Sequence, residues 1–279
     1  MFLEKFLFGY HLCLLLFTIS HGADWDDLKV TWSANPFSSW AFDSLPRDSN
    51  GPLKDFVLKD DQCVQGSKFV GKRYWYRQDP AVILLYDKNG YIAGIQTAVP
   101  KRSMTPSSFL TNHPVVDDGD YWTITAYFVN PAQVCSTGRT ADQFRDQGTG
   151  TGLWFQNGTN PLQDQIQIPL SESEIKLTNW KFGHCFYTMG NHYWYNVSRD
   201  MNCGKFYPNC LMYNGGKLTA FCFAVNTYLT SKRYEHPTPN DAKKFIDPVP
   251  DCFFNDPSYA KLSTMHVYMI SNPRLKSWC

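Results

Sequence analysis

Three histidines, His184, His192 and His266, are the side chains of this sequence best suited to proton transfer, and all lie in its second half. An imidazole changes charge near neutral pH, so it can serve as a general base or a hydrogen-bonding switch. Their spacing matches neither a zinc finger nor a metalloprotease helix, so no metal is assigned to them. A serine hydrolase would announce itself by Gly-x-Ser-x-Gly, which is missing. Asp117-Asp118-Gly119-Asp120 resembles part of a calcium loop but lacks the twelve-residue pattern, so it reads as an acidic turn. The run Gly148-Thr149-Gly150-Thr151-Gly152 is not followed by Lys-Ser/Thr and reads as a linker, not a phosphate loop. No cofactor is implied, and no carboxylate spacing identifies an acid/base pair. The histidines therefore remain weak catalytic candidates. Filling hydrogen-bonding positions on a sheet is their plainer role.

Tyr74-Trp75-Tyr76 and Tyr193-Trp194-Tyr195 are the stronger binding candidates. In a strand, the two tyrosines of each word share one face and the tryptophan takes the other. Trp75 and Trp194 could anchor the core while the tyrosines cover the sheet. Alternatively Tyr74, Tyr76, Tyr193 and Tyr195, the last beside His192, could line a ligand cleft where two halves meet.

The repeated word extends outward. Leu84-Leu85-Tyr86 before Asn89-Gly90 is echoed by Leu211-Met212-Tyr213 before Asn214-Gly215. Leu45-Pro46 is echoed by Ile168-Pro169, Trp32 by Trp154, and Cys63 by Cys185. Tyr127-Phe128 leading to Pro131 and Cys135 is echoed by Tyr268-Met269 leading to Pro273 and Cys279. Landmarks in one order point to an internal duplication. The expected units are a leader at 1–22, a first repeat at 23–147, a Gly/Thr linker at 148–152 and a second repeat at 153–279. The counterparts of His192 and His266 are Arg73 and Thr125, so a site could belong to the second repeat alone.

The elements that must position these residues are mostly strands. Asn-Gly between apolar runs is a hairpin signal, because the tight turn needs positive φ. Thr123, Thr125 and Tyr127 alternate with Ile124, Ala126 and Phe128, and Thr264, His266 and Tyr268 with Met265, Val267 and Met269. Period two places one row on a core. Short helices are expected at 140–147, after Ser171, and at 241–246. The fold class is mainly β (a β-rich α+β protein), pseudo-twofold, with antiparallel sheets. Two half-units completing one shared core are favoured over two separate domains.

Compartment and composition bound the function. The apolar stretch from Phe6 to Ile19 before Ser20-His21-Gly22 reads as a signal peptide cut after Gly22, because a membrane span needs roughly 20 apolar residues. Removing Cys13 from nine cysteines leaves an even eight, which reads as a disulfide framework in an exported chain. The duplication predicts Cys63 with Cys135 and Cys185 with Cys279, each closing a loop worth on the order of 4 kcal/mol. Cys203 with Cys210 and Cys222 with Cys252 is the arrangement expected for the rest. Asn157-Gly158-Thr159 and Asn196-Val197-Ser198 are glycosylation sequons. A net charge of +1 without charge blocks points to neither nucleic acid nor an anionic membrane. The expected protein is a secreted, disulfide-bonded glycoprotein that binds an unknown small molecule, glycan or extracellular protein. A secreted hydrolase using the second repeat's histidines is the alternative, and an extracellular matrix component the third reading.

Overall fold

The structure is a computed structural model that describes residues 24–35, 37–103, 114–257 and 261–279, so the expected leader lies outside the described residues. In chain order the strands are β1 (Lys29–Val30), β2 (Asp43–Ser44), β3 (Phe56–Asp61), β4 (Lys72–Tyr76), β5 (Asp79–Tyr86), β6 (Ile92–Pro100), β7 (Val116–Asp118) and β8 (Tyr121–Tyr127). They continue as β9 (Leu153–Gln156), β10 (Gln165–Ile168), β11 (Trp180–Phe186), β12 (Gly190–Tyr195), β13 (Asn209–Asn214), β14 (Lys217–Val225) and β15 (Ser263–Tyr268). Six short helices punctuate them: α1 (Pro131–Val134), α2 (Ala141–Gln147), α3 (Glu172–Ile175), α4 (Pro239–Ala242), α5 (Cys252–Asn255) and α6 (Pro273–Lys276). A Thr140 capping box starts α2, Ser171 caps α3, and Thr238 with Asp241 caps α4. That last cap starts the helix at Pro239, ahead of the 241–246 span expected, because Thr238-Pro239 supplies a stronger start signal than the residues after it.

Two antiparallel sheets result, ordered β10-β9-β8-β6-β5-β4-β3 (with β7 also on β8) and β11-β12-β13-β14-β15-β1-β2. Their facing sides pack together through one core that includes Leu84, Ile95, Phe128 and Phe155 from one sheet and Leu211, Phe221, Phe223 and Val267 from the other. Phe155 meets Phe221 edge-on at 5.7 Å between ring centres. Mainly β architecture follows from the branched and aromatic content of these runs.

The sheets carry the same register. Tyr74 pairs with Leu84, Leu84 with Ile95 and Ile95 with Ala126; Tyr193 pairs with Leu211, Leu211 with Phe221 and Phe221 with Val267. Bulges fall at matching places, after Leu58 and Phe182 on the outer strands and before Tyr86 and Tyr213 on the inner ones. Tyr86 donates its hydroxyl to the Pro46 carbonyl (2.8 Å), and Tyr213 donates to that of Pro169 (2.5 Å). The register aligns Trp154 with Lys29, since they pair with Tyr127 and Tyr268. The Trp32–Trp154 landmark is therefore displaced by three residues.

Each sheet also borrows a hairpin from the other half of the chain. The N-terminal β1–β2 lies on β15, and β9–β10 lies on β8. The expected linker at 148–152 is no free tether. Thr149 is fully buried, its N–H donates to the Trp25 carbonyl (2.8 Å) and its hydroxyl to that of Asp27 (2.6 Å). A side chain at Gly150 would overlap the Phe128 carbonyl, so the backbone itself needs glycine there.

Four disulfides pin this arrangement. Cys63–Cys135 and Cys185–Cys279 are present, with Cα separations of 5.1 and 5.4 Å. The remaining four pair as Cys203–Cys252 and Cys210–Cys222, not as Cys203–Cys210 and Cys222–Cys252. Register decides this: Cys210 and Cys222 are direct cross-strand neighbours on β13 and β14. Sequence proximity favoured Cys203–Cys210, but a strand holds Cys210 beside β14 instead. No helix among the described residues is long and apolar enough to cross a membrane.

Candidate functional site

The outward faces of the two sheets differ, and the difference creates the site. On the first sheet Arg73 sits at the centre, 1% exposed. Its Nη1 donates to Asp118 (2.8 Å) and its Nε to Asp60 (2.7 Å), while its guanidinium covers the Phe69 ring. Gln96 continues the network to Thr125 (2.9 Å). Burial alone would raise the Asp60 and Asp118 carboxyls; hydrogen bonds and charge from Arg73 outweigh it and hold both below the ordinary carboxylate range. This face is plugged. The Asp118 of the acidic turn faces Arg73, and Asp117 pairs with Lys101 at 2.7 Å.

On the second sheet the matching positions are His192, Cys222 and His266. The β12–β13 connection (196–208) and residues 226–257 of the β14–β15 connection fold over them. Cys203–Cys252 ties the two connections together, and Phe206 packs on Phe253 at 5.1 Å. Trp194 is buried beneath, donating its indole N–H to the Phe245 carbonyl (2.8 Å). Trp75, in the same register, is only partly buried and has Lys59 above its ring. Both tryptophans lie on the outer faces, Trp194 buried under the cover and Trp75 partly buried, while the tyrosines alternate to the inner faces, Tyr193 buried and Tyr74, Tyr76 and Tyr195 partly so.

Between this cover and β15 lies a cleft of about 300 Å³ lined by Trp32, Phe186, Met189, Phe245, Glu235, His236, Pro237, Asp241, Lys244, Thr264 and His266. Glu235 is its organising charge. Glu235 Oε1 accepts the Trp32 backbone N–H (2.7 Å), and Oε2 accepts the Thr264 hydroxyl (3.2 Å). His266 Nδ1 stands 3.3 Å from Oε2, within ion-pair range though not aligned for a full hydrogen bond. Thr264 and Glu235 also exchange backbone hydrogen bonds, which locks the cover to β15 at this point.

His192 lies behind His266, ring centres 6.4 Å apart, and is completely enclosed. Its Nδ1 faces the carbonyls of Gly190 (3.0 Å) and His184 (3.3 Å), so Nδ1 carries the proton and Nε2 is left as a buried acceptor without a partner among the described residues. Burial and then the neighbouring His266 push the His192 imidazole down to about 3. The Tyr268 hydroxyl is likewise buried without a partner. Unsatisfied buried polar atoms are rare and concentrate where a structure has a further use for them.

The sequence candidates distribute unevenly over this geometry. His266 lines the cleft, His192 lies behind it, and the exposed His184 contributes only its carbonyl. Tyr74, Tyr76, Tyr193 and Tyr195 are not in it. They face the shared core, where Tyr74 meets Tyr86 and Tyr193 meets Tyr213 edge-on, each at 5.4 Å, and the Tyr193 hydroxyl donates to Glu172 (2.8 Å). The cleft takes Trp32 from the first half of the chain and the rest of its lining from the second, and it lies on the outer face of one sheet, not at the seam between the two sheets. That seam is closed by Arg233, which joins Asp43 (3.1 Å) to Asp79 (3.3 Å), and by the Thr97–Tyr234 hydroxyl pair (2.5 Å). Glu235 had no sequence signal of its own, because its partners lie about 30 and 200 residues away and only folding gathers them. Asn157 and Asn196, the sequon asparagines, are both exposed at strand ends.

A larger cavity of about 610 Å³ lies beside Trp25, Gly150 and Lys217. Its charged lining is already paired at the surface, Asp24 with Lys217 at 3.0 Å, and none of its lining side chains leaves a buried polar atom orphaned except Gln147. The smaller cleft instead brings a carboxylate and an imidazole together, Glu235 and His266, between aromatic walls. Among the described residues no group of three or more His, Cys, Asp or Glu side chains is placed to hold a metal ion. Comparison with known proteins finds no family model, curated protein or solved structure that matches this chain.

Proposed function

We propose that this chain is a secreted ligand-binding protein, built by internal duplication, whose second repeat has opened a binding cleft where the first keeps a salt-bridged plug. The matching strand registers support the duplication, and four disulfides fit an oxidising, extracellular compartment. The single observation that carries the binding reading is the cleft itself: aromatic walls around a few convergent polar groups, over His266, whose counterpart on the other sheet is Thr125 of the Arg73–Gln96 network. Saturation-transfer NMR against a library of small organic molecules tests it. Hits should lose their signal in Phe245→Ala and His266→Ala and keep it in Tyr74→Phe; hits indifferent to both cleft substitutions would reject the site.

The His266–Glu235 pair supports a second reading, a secreted hydrolase in which the imidazole activates water. Against it, no serine or cysteine lines the cleft and the Thr264 hydroxyl is already committed to Glu235. Turnover of ester, amide or glycoside substrates that vanishes in His266→Ala would establish this reading over the first.

A further inference from the structure

We infer that the ligand of this cleft is a small organic cation, a protonated amine carried on an apolar frame. The inference rests on the binding reading above and names the chemistry that would satisfy the site.

The polar atoms that converge here are acceptors. Glu235 presents a carboxylate. His266 Nδ1 stands 3.3 Å from that carboxylate, and no hydrogen bond within the described residues takes up its Nε2. His192, enclosed behind it with Nδ1 on backbone carbonyls, turns no donor toward the cleft. A ligand that brings only N–H donors complements this set, whereas a carboxylate or phosphate would meet like charge and lone pairs.

The charges agree. Of the ionised groups in the lining, Lys244 is drawn 2.7 Å from Asp241, so that rim pair is neutral in itself. His236 is turned away: its ring stacks on Tyr228 at 4.2 Å and its Nε2 lies 2.9 Å from the Leu229 carbonyl. Glu235, with a side chain 15% exposed, is left without a permanently charged partner. The walls fit the same guest. Trp32 and Phe186 meet edge-on at 5.6 Å, and Phe245 closes the other side. Aromatic faces attract an ammonium and shed water from the methylenes beside it. A volume of about 300 Å³ sets the guest at the small end of the range for bound metabolites.

Isothermal titration of the intact protein with three probes of one shape tests this: 2-phenylethylamine, 2-phenylethanol and 3-phenylpropionate. The amine should bind at least tenfold more tightly than the alcohol, and the carboxylate most weakly. Glu235→Gln keeps an oxygen for the Trp32 N–H, so it should bring the amine down to the affinity of the alcohol and leave the alcohol within about twofold. The unchanged alcohol serves as the folding control. A carboxylate or alcohol that binds as tightly as the amine overturns the cation while the binding cleft stands. An amine preference that survives Glu235→Gln also overturns it. Failure of all three probes at millimolar concentration overturns the binding reading as well.

Discussion

Arg73 and His192 occupy the same place on two sheets and solve it in opposite ways, and each makes a prediction. Arg73 is a buried cation between two carboxylates; replacing it by Met strands Asp60 and Asp118 beside an apolar side chain. Arg73→Met should lower stability by about 3 kcal/mol in urea unfolding at pH 7, because a broken buried pair leaves an uncompensated charge. His192 is a buried neutral imidazole whose folded value, about 3, lies below the ordinary 6.5. The unfolded chain takes up its proton first as pH falls, so its contribution is full above pH 6.5 and declines from there toward pH 3. Between pH 7 and pH 5 the protein should lose about 2 kcal/mol that His192→Phe does not lose. The depressed carboxyls of Asp60 and Asp118 work in a lower window, adding stability above about pH 4 that is lost as pH falls through their folded values. Comparing urea midpoints of wild type and His192→Phe at pH 7, 5 and 3.5 separates the two. At this scale the sequence was legible in residue type but not in partnership. The histidines of the second half were visible as unusual; that His266 meets Glu235 and that Arg73 is buried were not, because those partners are distant along the chain and chosen by packing.

The decisive element is the cover over the second sheet. It consists of two long strand connections; at the place of the first, the other sheet's β4–β5 connection is only Arg77-Gln78, both at positive φ. Such long connections need fastening, and Cys203–Cys252 supplies it. Removing that bridge (Cys203→Ser with Cys252→Ser) should cost about 4 kcal/mol in the chain-entropy treatment, against about 3 for Cys210–Cys222, whose loop is shorter. The sharper test is local: amide exchange over 239–255 should accelerate in the first double variant and hardly change in the second, since β13 and β14 hold Cys210 and Cys222 together regardless. Gly183 offers an independent check. A methyl there would overlap the Phe245 carbonyl, so Gly183→Ala should shift Phe245 out of the cleft wall and weaken ligand binding more than it lowers the melting temperature. Strands and hairpins were readable from alternation and Asn-Gly turns. The cover was not, because its residues follow no period and are ordered by a disulfide, by Phe206 and Phe245 packing on Trp194, and by Phe253 packing on Phe206.

Across the whole molecule, exchange of hairpins makes the two halves interdependent. The second sheet is completed by β1–β2 and the first by β9–β10, with the buried Thr149 in the segment between the halves. A chain of residues 24–147 alone should therefore remain unfolded, as should 153–279 alone, while the two expressed together should recover a folded complex. Circular dichroism and one-dimensional NMR of each half decide this; a cooperative melt from either half by itself would show that the units are separate domains.

The sequence by itself determined the mainly β class, the repeated strand words, two of the four disulfide pairs and the half in which unusual titratable residues lie. These are local or periodic properties: alternation, turn chemistry and recurrence survive in one dimension. Only the tertiary structure decided that the tyrosines face the core and the tryptophans outward, that Cys203 reaches Cys252, and that Glu235, Trp32 and His266 meet in one cleft. The direction a strand's side chains face depends on which side the second sheet packs, and a site assembled from the segment after β1, from β15 and from a long connection has no signature until those elements are in contact.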